Sequence, residues 1–477
     1  AGNWSPSGQP GSADDVTISA NVTVNINAAT TINSLTLGNG TTTPTLNFAY
    51  DAIGTSAPLT ITGGNLTVNT NSIIAHSAGT TVVVGTVNIN VTSGNATING
   101  TINTTGKGYA GVVTGASGNI GNGTGGGGTI SANGAGGAGH GGLGGGPSLG
   151  GATGGIVYGS YSAPTTYGSS GGEDGYTGAG QRTSAAGGGA IQLTVSGTTT
   201  VTGSIVSNGA TADNNGGGGG AGGSVYLTVG TIAGTGSITA NGGSAFSGTY
   251  SGTGGGGRIA INYSGSNTFN GSGSGTGTLT ATAGSTGYAS GENGTVAVID
   301  TTNNDLYINR SQTWRVKNSS GTTTEGSSFT YRNVYVGNQA ATTWTIKGYS
   351  TNNSDGVGQT FNVNSFTLNS GSTISGDGGG YPSVTSGNAG AGPGGGGTAS
   401  ANGGGGGGYG GAGGAALSGA AGGIVNGSRA APIDLGSSGG TDNFAAGRSS
   451  GAGGGALYIN AVSKVVENGT ISMNGNN

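Results

Sequence analysis

The chain contains no cysteine, only two histidines, nine prolines among 477 residues, and 5% charged residues. Without cysteine there are neither disulfides nor thiolate metal sites. Eleven cationic residues stand against fifteen acidic ones, a formal net charge of −4, which leaves no basic surface for nucleic acid. Apolar runs of about 18 residues, the length that spans a membrane, are missing, so no membrane insertion is expected. Hydrophobic residues make up 31%, against roughly 45–50% (glycine included) in globular domains. Disorder normally comes with high net charge and abundant proline. Both are scarce here.

Glycine fills the gap, with 118 residues. Two runs hold most of the side-chain-free backbone: GGGGTISANGAGGAGHGGLGGG at 125–146 and GGGGTASANGGGGGGYGGAGG at 394–414. Glycine loses more conformational entropy on folding than any other residue, so such runs stay flexible unless neighbours order them. The remainder is rich in Thr, Ser, Asn and Val. Val16 and Ile18, Val22 and Val24, Leu35 and Leu37, Leu59 and Ile61, Leu66 and Val68, and Val87, Ile89 and Val91 alternate with polar residues between turn formers. That is the signature of short strands. No helical period occurs. The chain is expected to be all-β. Strands with often only two inward residues suit a parallel β-helix, a solenoid of stacked rungs. Tandem β-sandwiches are the alternative.

Internal repetition organises the chain. GGIVYGS (154–160) returns as GGIVNGS (422–428), and APTTYGSSGG (163–172) as APIDLGSSGG (431–440). GGGAIQL (187–193) returns as GGGALYI (453–459), and GSIVSNG (203–209) as GTISMNG (469–475). Spacing stays nearly fixed across the glycine runs. Disordered linkers have no reason to keep it, so the runs are expected to pack as extended polyglycine strands rather than flexible connectors. Four segments follow: N-terminal rungs at 1–103, a first glycine-rich module with further rungs at 104–300, a Trp- and Arg-containing β segment at 301–372, and a second module at 373–477.

The opening NWSPSGQPGSADDVTISANVTVN (3–25) and the module GGGGTISANG…GGIVYGS…YGSSGG…GGGAIQL…GSIVSNG resemble glycine-rich secreted bacterial parallel β-helix surface and adhesin-like proteins. The resemblance implies an extracellular, structural or adhesive role and carries over no catalytic residue. A start at Ala1 fits removal of a signal peptide.

Candidate chemistry is sparse. His76 and His140 lack partner motifs, and His140 corresponds to Tyr409 in the second module. Asp14 and Asp15 read as turn formers ahead of Val16. No catalytic residue, cofactor or metal site is expected. Asp174 matches Asp442 and Arg182 matches Arg448. An opposite-charge pair kept twice in so uncharged a chain predicts structural ion pairs that pin the glycine loops; sugar binding by the pair is the sharper alternative. Around 301–350 cluster Arg310, Arg315, Lys317, Arg332 and Lys347 with Trp314, Trp344, Tyr307, Tyr331 and Tyr335. They predict either a Trp-containing core or an aromatic platform for glycans, with Trp314, Trp344, Tyr331 and Tyr335 as contacts.

The functional expectation is an extracellular structural protein that joins copies of itself head to tail into a surface filament or matrix. Trp4, Val16 and Ile18 would form one contact surface, and Ile471 and Met473 the other. GSIVSNG is followed by another rung, but GTISMNG only by Asn476 and Asn477, which predicts an unfinished solenoid end. The alternative is a glycan-binding cell-surface adhesin, and the third reading a polysaccharide lyase or hydrolase.

Overall fold

The computed structural model describes the chain except residues 1–3, 6, 50–56, 83, 114–117, 130–133, 148–152, 176–182, 214–215, 247–249, 271–274, 316–325, 349–355, 418 and 444–447. The described residues are all β, without a helix, and the strands pair mostly in parallel. No helix among them is long and apolar enough to cross a membrane. The chain divides into two compact units, Ala1–Tyr307 and Ile308–Asn477. The second glycine module therefore shares a unit with the Trp- and Arg-containing segment.

In the first unit the chain visits three parallel ladders in a fixed order. The first ladder runs through Asp15–Ile18, Ser34–Leu37, Leu66–Val68 and Ala96–Ile98 to the end of Ala190–Val201. The second contains Thr23–Ile26, Thr45–Phe48, Ile73–His76, Thr101–Asn103, Ser204–Val206, Ser237–Thr239 and Thr278–Thr280. The third links Thr30–Ile32, Leu59–Ile61, Thr86–Val91, the start of Ala190–Val201, Ser224–Ala233, Arg258–Tyr263 and Thr295–Asp300. The hairpin joining Val298–Asp300 to Asp305–Tyr307 departs from this, being antiparallel. Parallel pairing argues against tandem β-sandwiches, whose sheets are antiparallel.

Strands this short hold together because their inward residues align into columns. Leu46, Ile74, Ile102, Ile205, Ile238 and Leu279 occupy successive positions of the second ladder, and all are buried. Each such side chain contributes about 1.5–3 kcal/mol by leaving water. Thr and Asn on the outer face bond laterally, as Asn47 does to Asn25 at 2.9 Å. One column accepts a polar ring, where His76 follows Ile26 and Phe48.

The second unit repeats the scheme with two ladders. Ser328–Val336, Gln359–Leu368 and Leu457–Glu467 form one; Gln312–Arg315, Thr343–Lys347, Thr373–Ser375 and Thr470–Ser472 form the other. Rings fill the space between. Trp314 and Trp344 meet edge to face at 5.3 Å, and Phe329 stacks on Phe361 at 4.9 Å. In each unit a long glycine-rich excursion, 104–189 or 376–456, leaves the second strand of a rung and returns to the third ladder or its equivalent.

Candidate functional site

The glycine runs are packed, but not as β-strands. In residues 136–140 the donors rotate among neighbours. Gly136 and Gly139 donate to Gly128 and Gly125, Gly137 and His140 to Gly145 and Gly142, and Ala138 to Gly219. Residues 218–223 repeat the pattern: 218 and 221 bond the segment at 169–172, 219 and 222 that at 252–255, and 220 and 223 that at 207–210. A direction that recurs every third residue is that of an extended helix with three residues per turn, as in polyproline II. A β-strand has two hydrogen-bonded neighbours; these segments have three, because glycine at most positions leaves their sides open to another backbone. A Cβ on Gly137 would stand 1.9 Å from the carbonyl oxygen of Thr253, and one on Gly220 2.0 Å from that of Ala186. Ordering so many glycines is costly, and it is offset by the hydrogen bonds that these buried backbone groups make with one another.

The second module reproduces these bonds. Gly405 and Gly408 donate to Gly397 and Gly394, and Gly406 and Tyr409 to Gly414 and Gly411. The side-chain bonds match as well. The N–H groups of Gly125 and Gly394 donate to the hydroxyls of Ser169 and Ser437, each at 2.9 Å. The difference is burial: residues 134–140 are all buried, whereas Gly406, Gly407 and Gly410 are exposed.

The repeated carboxylates sit where these segments begin. The Oδ2 atom of Asp174 accepts the N–H of Gly134 at 3.3 Å, and that of Asp442 the N–H of Gly403 at 2.8 Å. Both glycines have positive φ, +104° and +99°, a turn that only glycine takes without strain. Arg448 Nη1 lies 2.8 Å from Asp442 Oδ2, so the second ion pair is present, with its carboxylate buried and its guanidinium half exposed. Arg182 lies outside the described residues, as does Lys317.

The histidines are structural. His140 is fully buried; its Nδ1 donates to the carbonyl of Gly222 at 2.8 Å, and its Nε2 pairs with the hydroxyl of Thr166 at 2.8 Å. Burial, with the nearby Arg258 charge, depresses its pKa to about 3. His76 donates from Nδ1 to the carbonyl of Ser77 at 2.7 Å, and burial lowers its pKa to about 4. Among the described residues no group of three or more His, Asp or Glu side chains is placed to hold a metal ion. Asp14 accepts the N–H of Gly11 in a turn, and Asp15 bonds Asn33 and Ser34 on the neighbouring strand.

Trp314, Trp344 and Tyr331 are buried and Tyr335 is half-buried. The indole faces pack against protein rings, so the stacking surface expected of a glycan platform is taken up inside the unit. Of the expected assembly residues, Val16 and Ile18 are buried. Trp4, Val16 and Ile18 line a cavity of about 360 Å³ with Ile26, Ile32 and Leu35. Ile471 is exposed, and Met473 lines a second cavity, of about 390 Å³, in the second unit. Sequence reading did not single out Ser169 or Ser437; the doubled GSSGG was the available signal.

No family model, no curated protein and no solved structure matches this chain.

Proposed function

We propose that the parallel ladders are faces of a parallel β-helix and that the protein is a secreted structural subunit assembling end to end into an extracellular filament. The fixed order in which the chain visits its ladders supports the helix. One observation carries the assembly: Leu457–Glu467 pairs on one side with Gln359–Leu368, and Tyr458, Val462 and Val465 along it are exposed, as is Ile471 on the neighbouring Thr470–Ser472. Soluble proteins normally cover or charge such an edge. The strands Asp15–Ile18 and Thr23–Ile26 present a complementary parallel edge above the Trp4 cavity. Contact between two unlike surfaces does not close on itself and propagates as a fibre unless its rotation makes a ring.

Electron microscopy of the purified full chain tests this reading. Filaments are expected from the unaltered protein and none from the Val465→Lys/Ile471→Lys double variant, whose altered side chains are exposed and leave the core untouched. A unaltered protein that stays monomeric at high concentration, or filaments that persist in the variant, would refute it.

A further inference from the structure

The two modules can be overlaid residue by residue, and the overlay shows what the second cavity lacks. In the first module the segment Gly218–Ser224 lies in a groove made by Ala138, His140, Gly168, Ser169, Gly188 and Ser207. Ala138 donates to Gly219, Gly188 to Ala221, Ala221 to Ser169 and Gly223 to Ser207. His140 Nδ1 donates to Gly222. The corresponding residues of the second module are Gly407, Tyr409, Gly436, Ser437, Gly454 and Met473. They line the 390 Å³ cavity.

A further difference concerns other sides of the module, those that Gly257, Glu292 and Ala289 cover in the first. Gly141, Gly142 and Gly145 must be glycine, since a Cβ would come within 2.0, 2.2 and 2.0 Å of the carbonyl oxygens of Gly257, Glu292 and Ala289. Their counterparts Gly410, Gly411 and Gly414 are glycine too, yet a Cβ on any of them meets nothing within 4 Å. None of the three has the positive φ that would itself demand glycine. Bare glycine costs stability where nothing approaches. Its return here is a surface that another backbone can approach.

We propose that the groove around Gly436, Gly454 and Met473 binds a glycine-run polypeptide segment in the three-residue-per-turn conformation, seated as Gly218–Ser224 is in the first module. The ligand is recognised by its backbone: successive carbonyl and N–H groups on the groove side, with no Cβ between. The groove includes neither Val465 nor Ile471, so its test is independent of the end-to-end contact.

The test uses the full chain and a labelled peptide with the sequence of residues 216–229, followed by fluorescence anisotropy. Saturable binding is expected. In the peptide, Gly220→Ala should abolish it, because that Cβ points at the carbonyl of Ala186, whose counterpart Ala452 borders the groove. Gly222→Ala should leave it within twofold, because that Cβ points away, toward Ala240. On the protein, Gly475→Ala should weaken binding at least tenfold. Its counterpart Gly209 would place a Cβ 2.1 Å from the Gly220 oxygen, whereas the nearest atom to a Cβ on Gly475 is 3.3 Å away. An unchanged melting temperature of Gly475→Ala shows that its fold is intact; if it melts early, the two peptide variants decide alone. Equal binding of both alanine peptides, equal binding of a strand-only peptide (residues 224–229), or no saturable binding would each overturn the proposal.

Discussion

At position 141 of the first module a methyl group would land 2.0 Å from the carbonyl oxygen of Gly257; at the matching Gly410 it would meet open space. Residues 136, 137, 139 and 140 make the same backbone hydrogen bonds as 405, 406, 408 and 409, so the difference lies in the other neighbours. In the first module Gly218–Gly223, Gly252–Gly257 and 289–292 close over the central segment. In the second the corresponding sides of 406–414 are largely exposed. A glycine layer thus needs several segments on every side before all its members are buried, and the chain supplies them in one module and not in the other.

Breaking the comparison at matched positions should give the largest effect. Gly141→Val is expected to cost more than about 3 kcal/mol, since a buried backbone oxygen cannot give way by the ångström or more that the contact would require. Gly410→Val should stay within about 0.5 kcal/mol, as surface changes do. Hydrogen exchange read by mass spectrometry localises the result: amides of 136–145 lose protection in the first variant, and those of 405–408 keep theirs in the second. Equal effects at the two positions would show that the modules do not differ in packing.

Acid should separate the units next. Both histidines lie in the first unit, and both rings are held neutral, with pKa values lowered to about 4 and about 3. The unfolded chain takes up these protons below pH 6.5 while the folded unit does not. The stability they leave intact above pH 6.5 therefore falls as pH drops from 6.5, by about 1.4 kcal/mol per pH unit for each ring, down to about pH 4 for His76 and about pH 3 for His140. The second unit has no histidine and should lack this slope. His140→Gln, which keeps a donor near Gly222, should remove about half of it in pH-dependent denaturant melts.

The smallest effects concern the carboxylate caps. Asp442→Ala should cost about 1–3 kcal/mol, because it leaves the Gly403 N–H unmet. Arg448→Gln should cost no more than about 1 kcal/mol, its guanidinium being half in water. Both are read from urea midpoints. A larger loss from Arg448→Gln than from Asp442→Ala would reverse the assigned roles.

Alternation was the most readable feature of the sequence. Val16, Ile18, Leu35, Leu37, Leu66 and Val68 are buried as their spacing predicts. Repetition also carried the Asp442–Arg448 pair, because two opposite charges that return in both modules of a nearly uncharged chain stand out. The glycine layer was legible only as something ordered. Its fixed spacing said that the runs pack, but a residue without a side chain has no inward or outward face, so neither the threefold turn nor the identity of the neighbours could be read. Trp314 and Trp344 were ambiguous for the opposite reason. An indole suits a core or a sugar-binding surface equally, and only the rings of Phe329 and Phe361 beside them decide for the core.

The threefold geometry has a kinetic side. A segment such as Gly216–Gly220, slid along its neighbours by one turn, remakes every backbone bond it breaks, so hydrogen bonding alone does not distinguish the correct alignment from its near copies. The markers are the rare side chains at the borders: the His140 ring on Gly222, the hydroxyls of Ser169 and Ser437, and the carboxylates of Asp174 and Asp442 at the turns. They serve as an index by which an otherwise uniform lattice finds its place. Misthreaded layers are near-degenerate traps on the folding landscape, and escape from them, rather than strand pairing, would set how fast the chain reaches its native state.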